Sequence, residues 1–252
     1  YLQSATVGVY RKVRKDLREG RFVLFVGTPC QCQALNNFLG KERTDKLLLV
    51  DFICHGVPSP KVWKKYLHEH FKNEELISFN FREKSDGWIS SQCNIESITK
   101  FKTERKKLLQ NDYFRGFRKD IYLRQSCYYC KFRTYDRLSD FTIADFWGVD
   151  QKCPSMFDNK GTSIVFLHTL KAQDIFQELH DKLLKKAQSK EDATWGNSGM
   201  DKEDPRQSPI TRKLFYIAFQ FISFRSAIRI VDISETIKRY SGKIKRKISR
   251  WI

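Results

Sequence analysis

The stretch RFVLFVGTPCQCQALNNFLGKERTDKLLLVDFICHGVPSP (residues 21–60) carries the pattern from which the architecture is read. It opens on an unbroken apolar run, Arg21 to Val26, of the kind found in strands buried on both faces. Gly27-Thr28-Pro29-Cys30 follows, with Thr28 suited to an N-cap and Pro29 to the first helical position, so a helix is predicted to about Leu39. Gly40 closes it. The pattern then repeats: Lys46 to Ile53 is a second buried strand, and Ser59-Pro60 begins a helix extending to about Phe71. Strand–helix–strand–helix at this spacing implies a parallel sheet.

Upstream, Tyr10 to Glu19 has helical composition and stops at Gly20. Downstream, residues 76–109 change to short alternating runs broken by Ser85-Asp86-Gly87, an antiparallel hairpin insert. A short helix is expected over 111–124, a strand over 140–146, a loop over 150–161, a strand over 162–168 and a helix over 171–186. Residues 201–209 are a polar linker, and the remainder is helical in composition. The fold class is therefore α/β, a mixed sheet with a parallel βαβ core, an antiparallel hairpin insert and a helical C-terminal extension. The domain division expected is 1–200 for the α/β domain and 201–252 for a helical basic tail.

With 252 residues, 40% hydrophobic and 14% aromatic, there is ample material for a core, which excludes global disorder. No run approaches the roughly 18 apolar residues of a membrane span. The first residues, Tyr1 to Ser4, carry no features of a signal peptide, and the sequence reads as though it begins inside a longer one. Net charge is +18, of which Lys238 to Ile252 (KRYSGKIKRKISRWI) supplies seven basic residues and no acid. Ile244, Ile248, Trp251 and Ile252 recur there at helical spacing, a pattern suited to peripheral contact with an anionic membrane or to a solvated terminal helix. Nucleic acid is a disfavoured partner, because no recognition signature accompanies the charge.

The seven cysteines, an odd number without an export signal, argue against a disulfide framework and for a reducing, cytoplasmic setting. Residues just past the carboxyl ends of parallel strands share one edge, where cofactors bind. Cys30 and Cys54 both fall there. Cys127 and Cys130 form a CxxC, which offers two sulfurs to one centre, and Cys30 and Cys54 are its natural completion as a four-thiolate site. A structural zinc site using Cys30, Cys32, Cys127 and Cys130 is the competing arrangement; a third is that some of these are core residues. Cys93 and Cys153 read as structural or spare. His55, between Cys54 and Gly56, is a candidate proton donor, against the commoner structural role of a single histidine.

Seven segments in order are YLQS (1–4), VLFVGTPCQ (23–31), VDFICHGVPSP (50–60), FREKSDGW (81–88), LRQSCYYCKF (123–132), SDFTIADFWG (139–148) and KGTS (160–163). Together they resemble the coenzyme F-420 hydrogenase/dehydrogenase beta-subunit family, carboxyl-terminal domain, over residues 1 to about 200. The resemblance implies an iron–sulfur flavoprotein oxidoreductase in which electrons pass between a [4Fe-4S] cluster, FAD and an organic acceptor, a deazaflavin in the founding members. It implies Cys30, Cys54, Cys127 and Cys130 as cluster ligands. Thr28, Pro29 and Gln31 would stand beside the flavin or cluster, and Arg82 and Lys84 would offer charge to a phosphate or reduced flavin; the alternative for these two is a solvated turn. Asp145 and Trp147 follow the family's DFWG pattern, with Phe146 between them. Partners implied are a ferredoxin-like electron-donor or acceptor module and a small-molecule redox substrate. Family members usually carry ferredoxin-like and flavin-binding segments upstream, so the sequence is expected to be a fragment lacking them. Ala144 and Gln125 depart from the family's usual Gly and Pro, and Cys32 is an additional thiol.

Overall fold

The structure is a computed structural model that describes residues 2–72, 74–89, 91–200 and 209–232. In chain order the elements are α1 (Val9–Arg18), β1 (Val23–Gly27), α2 (Pro29–Leu39), β2 (Leu47–Phe52), α3 (Pro60–His70), β3 (Leu76–Glu83), β4 (Asn94–Thr99) and β5 (Thr103–Lys107). There follow α4 (Asp112–Arg118), α5 (Gln125–Tyr128), β6 (Phe141–Asp145), α6 (Val149–Lys152), β7 (Ser163–Leu167), α7 (Leu170–Glu178), α8 (Lys190–Thr194) and α9 (Pro209–Phe221). The chain divides into two compact units, one formed by residues 3–55 and 130–205, the other by 1–2, 56–129 and 206–252.

The first unit is built on a four-stranded mixed sheet in the order β1-β2-β6-β7. β1 pairs parallel with β2 and β2 with β6, whereas β7 returns antiparallel to β6. This is the expected parallel βαβ core with an added antiparallel strand. α1 ends where Gly20 adopts φ 76, a conformation that costs glycine nothing. α2 starts at the predicted cap, and Cys32, Leu35 and Leu39 form its buried face. These residues pack with Val13, Leu17, Phe25, Leu47 and Leu49 into one apolar cluster.

β1 departs from the expected pattern in one respect. Its apolar run suggests burial on both faces, yet Leu24 and Val26 are 61% and 54% exposed. Side chains alternate along a strand, and the cluster containing α1 and α2 covers the Phe25 face. The register puts Leu24 and Val26 on the other face, with Leu48 and Val50.

In the second unit, β3, β4 and β5 form a three-stranded antiparallel sheet, so the insert exceeds a single hairpin by one strand. α4 is shorter than expected, because Asp120 takes φ 57 soon after its end. The helix expected over 171–186 likewise stops at Glu178, and α6 occupies part of the expected loop. An aromatic core joins Tyr66, Tyr113, Tyr122, Phe215 and Phe224, with Trp63 packed against it. α9 and a helical stretch over 224–232 thus belong to this core, with Ala227, Ile228 and Val231 buried in it. Residues 201–208 and the basic stretch from 233 to 252 lie outside the described residues. Among the described residues no helix is long and apolar enough to cross a membrane.

Candidate functional site

Register determines what shares the carboxyl edge of the mixed sheet. Gly27 of β1 pairs with Asp51 of β2, and Asp51 pairs with Thr142 of β6. Cys30, Cys54 and Asp145 each lie three residues beyond one of these paired positions. The edge therefore carries Thr28 to Gln31 after β1, Cys54 and His55 after β2, and Asp145 to Trp147 at the end of β6.

The first of these segments is held by a cap. The side chain of Gln31 reaches back so that its Oε1 accepts from the amide of Thr28 at 3.0 Å and from its hydroxyl at 3.0 Å. The Tyr10 hydroxyl donates to the carbonyl of Gln31 at 3.1 Å. Thr28 and Pro29 are buried by this arrangement, while Cys30, in the first turn, is exposed. Thr28 Oγ1 lies 3.1 Å from Cys30 Sγ. With its own proton given to Gln31, that hydroxyl accepts from a thiol; turned round, it would donate to a thiolate. Cys30 lies in the first turn of this eleven-residue helix, at the positive pole of its dipole.

Cys32 has the opposite environment. It is 1% exposed, its thiol donates to the carbonyl of Val50 at 3.7 Å, and burial, aided by the charge of Asp51, pushes its pKa up to about 12. Cys93 is buried with its thiol donating to the carbonyls of Gly87 and Trp88, at 3.4 and 3.0 Å, and Cys153 is also buried. Cys54, Cys127 and Cys130 are half-buried. Cys30, Cys54 and Cys130 belong to the first unit, whereas Cys127, in α5, belongs to the second and packs against its aromatic core. No disulfide links any of the seven. Among the described residues no group of three or more His, Cys, Asp or Glu is arranged to hold a single metal ion. A four-iron cluster spreads its ligands, one sulfur to each iron.

His55 is half-exposed beside Cys54. Asp145 is exposed, and its carbonyl accepts from Asn197 Nδ2 at 2.9 Å. Trp147 lies under Gly196, where a Cβ would come within 2.4 Å of the Trp147 Cβ. Arg82 and Lys84 lie in the other unit, in β3 and the turn that follows it. Arg82 donates to the carbonyl of Trp88 at 3.3 Å, and Lys84 is exposed.

Two features of this region escaped sequence reasoning. The segment Gly196 to Gly199 passes close to the strand ends: a Cβ on Gly199 would meet Ile53 Cγ2 at 2.6 Å and the Cys54 carbonyl oxygen at 3.3 Å. The paired glycines in Gly196-Asn197-Ser198-Gly199 were its visible signal. Beneath the edge lies a buried polar network. Asp51, 2% exposed, accepts from Ser139 Oγ at 2.8 Å and Thr142 Oγ1 at 2.5 Å, and Arg137 Nη1 stands 3.4 Å away. Thr142 Oγ1 is also 2.8 Å from His168 Nε2. Burial, the largest influence, holds the His168 pKa below its ordinary value. Arg137 Nε donates to the carbonyl of Thr134 at 2.7 Å. The guanidinium thus ties the loop after Cys130 to β2, the strand that leads to Cys54. A lone acid in the apolar run KLLLVDFI was the only hint.

No match was found among curated proteins. Among solved structures, the chain is similar to one in a xenon-derivatised F420-reducing [NiFe] hydrogenase complex from Methanosarcina barkeri, at 16% identity and a TM-score of 0.42. The alignment covers 83% of this chain and 66% of that one, so the chain spans just under two thirds of its length. Residues 20–192 match the family described as the C terminus of the coenzyme F420 hydrogenase/dehydrogenase beta subunit, and the chain belongs to that family.

Proposed function

We propose that this chain is part of an oxidoreductase in which Cys30, Cys54, Cys127 and Cys130 hold a [4Fe-4S] cluster that exchanges electrons with an organic acceptor. The observation that carries this reading is the division of the seven thiols. The four proposed ligands are the exposed or half-buried ones, and the three others are buried. The donor chemistry fits, since clusters of this kind take four thiolates. When bound, the cluster would supply one-electron transfer. The chain's own contribution is to hold Cys30 at a helix start with a hydroxyl at hydrogen-bond distance, and to place Cys54 at the matching position on the next strand. A reducing compartment such as the cytoplasm suits seven cysteines with no disulfide among them.

FAD is implied by the family's resemblance alone. The residues expected to serve it do not make a flavin site by themselves: Thr28 and Gln31 are engaged with each other, Arg82 holds a turn, and Lys84 is solvated. The acceptor is proposed to be a small redox molecule, and the electron partner a ferredoxin-like module or subunit.

The test is anaerobic reconstitution of the full chain with iron and sulfide, followed by metal and sulfide analysis. About four irons and four sulfides per chain are expected, with loss of both in Cys30→Ala and retention in Cys32→Ala. Zinc bound in place of iron, or equal iron in the two variants, would overturn the assignment.

A further inference from the structure

α9 is apolar on two opposite faces. Its inner face, centred on Phe215, packs into the aromatic core. Its outer face carries Ile210, Leu214, Ile217 and Phe221, which are 60%, 38%, 51% and 82% exposed. At 100° per residue these four fall within a narrow arc, a continuous stripe about 20 Å long on a thirteen-residue helix. A continuous exposed apolar stripe of this kind marks an interaction surface.

The surroundings indicate what covers this one. From Pro209 to Val231 the sequence contains no acidic residue, and Lys213, Arg225 and Arg229 are exposed. Phe221 also lines a cavity of about 690 Å³ whose walls include Lys72, Lys106 and Arg225. The two carboxylates of that cavity are already engaged: Glu69 accepts from the Phe224 amide at 2.8 Å, and Asp112 pairs with Arg115 at 2.9 Å and lies 3.5 Å from Nε of Arg225, whose side chain is 70% exposed. Farther along the sequence, Lys238 to Ile252 adds seven basic residues and no acid. A second copy of this chain would bring the same cations against one another. An anionic lipid surface supplies both requirements, an apolar layer for the stripe and phosphates for its flanks.

We infer that the outer face of α9 docks the protein peripherally onto an anionic membrane surface, with Leu214, Ile217 and Phe221 entering the interfacial layer and Lys213, Arg225 and Arg229 meeting lipid phosphates. This inference is independent of the cluster.

The test uses the full chain with two vesicle preparations, pure phosphatidylcholine and phosphatidylcholine containing roughly one third phosphatidylglycerol. Co-sedimentation is expected with the anionic vesicles only. In Ile217→Gln/Phe221→Gln it should fall about tenfold or more, with the circular dichroism spectrum unchanged. Should that variant misfold, Phe221→Trp serves instead, and the difference between its emission and that of the native chain, which already carries five tryptophans, is expected to shift to the blue on anionic vesicles alone. Undiminished binding by the double variant, which would assign binding to the basic stretch beyond residue 232, overturns the inference. So does absence of binding by the native chain, equal binding to neutral vesicles, an unshifted Phe221→Trp emission, or a dimer that the double variant dissociates.

Discussion

Arg137 and Asp51 form a buried ion pair, with Nη1 3.4 Å from Oδ2 and both side chains 2% exposed. Asp51 lies three residues before Cys54, and Arg137 closes the loop that follows Cys130. The pair therefore joins two of the segments that carry proposed ligands. The second terminal nitrogen of Arg137 has no hydrogen-bond partner among the described residues, so the guanidinium depends on Asp51 and the Thr134 carbonyl.

Removing one partner from such a pair strands a charge out of water. Asp51→Ala is expected to destabilise the fold by about 3–5 kcal/mol, read from urea denaturation of the apo chain. A loss below about 1 kcal/mol would show that water reaches Arg137 and that the pair behaves as a surface one.

Thiol reactivity should follow burial. In apo protein treated with iodoacetamide under native conditions, Cys30 is expected to be alkylated well before Cys32, whose thiol is buried and whose pKa is raised to about 12. Peptide mass spectrometry over time gives the order. Equal rates would contradict the buried placement of Cys32.

His168 should make stability depend on pH on the acid side. Burial lowers its pKa in the folded state, so the native protein favours the neutral ring while the unfolded chain titrates near its ordinary value. The stability this provides is complete above about pH 6.5 and declines as pH falls through the lower folded value. His70 is shifted in the same direction, again mainly by burial. His168→Gln is therefore expected to flatten, without abolishing, the fall in melting temperature between about pH 7 and pH 5. An unchanged slope would show that His168 is as accessible folded as unfolded.

Gly116 lies inside α4, where alanine would ordinarily add up to about 1 kcal/mol of helix stability. Here a Cβ would stand 2.5 Å from Tyr122 Cε1 and 2.8 Å from Ile228 Cδ1, and both side chains are buried. Overpacking of this kind costs about 1–3 kcal/mol, so Gly116→Ala is expected to be net destabilising. Thermal denaturation with a higher melting temperature than wild type would mean that the core yields.

Much of the carboxyl edge was legible because its signals are local. Thr28 and Pro29 mark a helix start by their own backbone preferences, and apolar runs of strand length announce β1 and β2. Two parallel strands with a helix between them then place Cys30 and Cys54 on one edge. Boundaries that depend on backbone departures were less legible. Asp120 in a left-handed conformation cuts short the helix expected over 111–124, and the turn before Thr103 adds a third strand to the insert.

Local pattern and motif order were enough for the α/β class, the family and the set of thiols from which the proposed ligands are drawn. They left Cys30 and Cys32 as rivals, although residues two apart on a helix point about 200° away from each other. Only packing decides which faces inward: Leu35 and Leu39 turn the Cys32 side of α2 onto the sheet, and Cys30 is left at the surface. The pairing of Asp51 with Arg137, 86 residues apart, likewise exists only once the strands are in register. Burial and long-range pairing are properties of the folded surface, which no local pattern of side chains encodes.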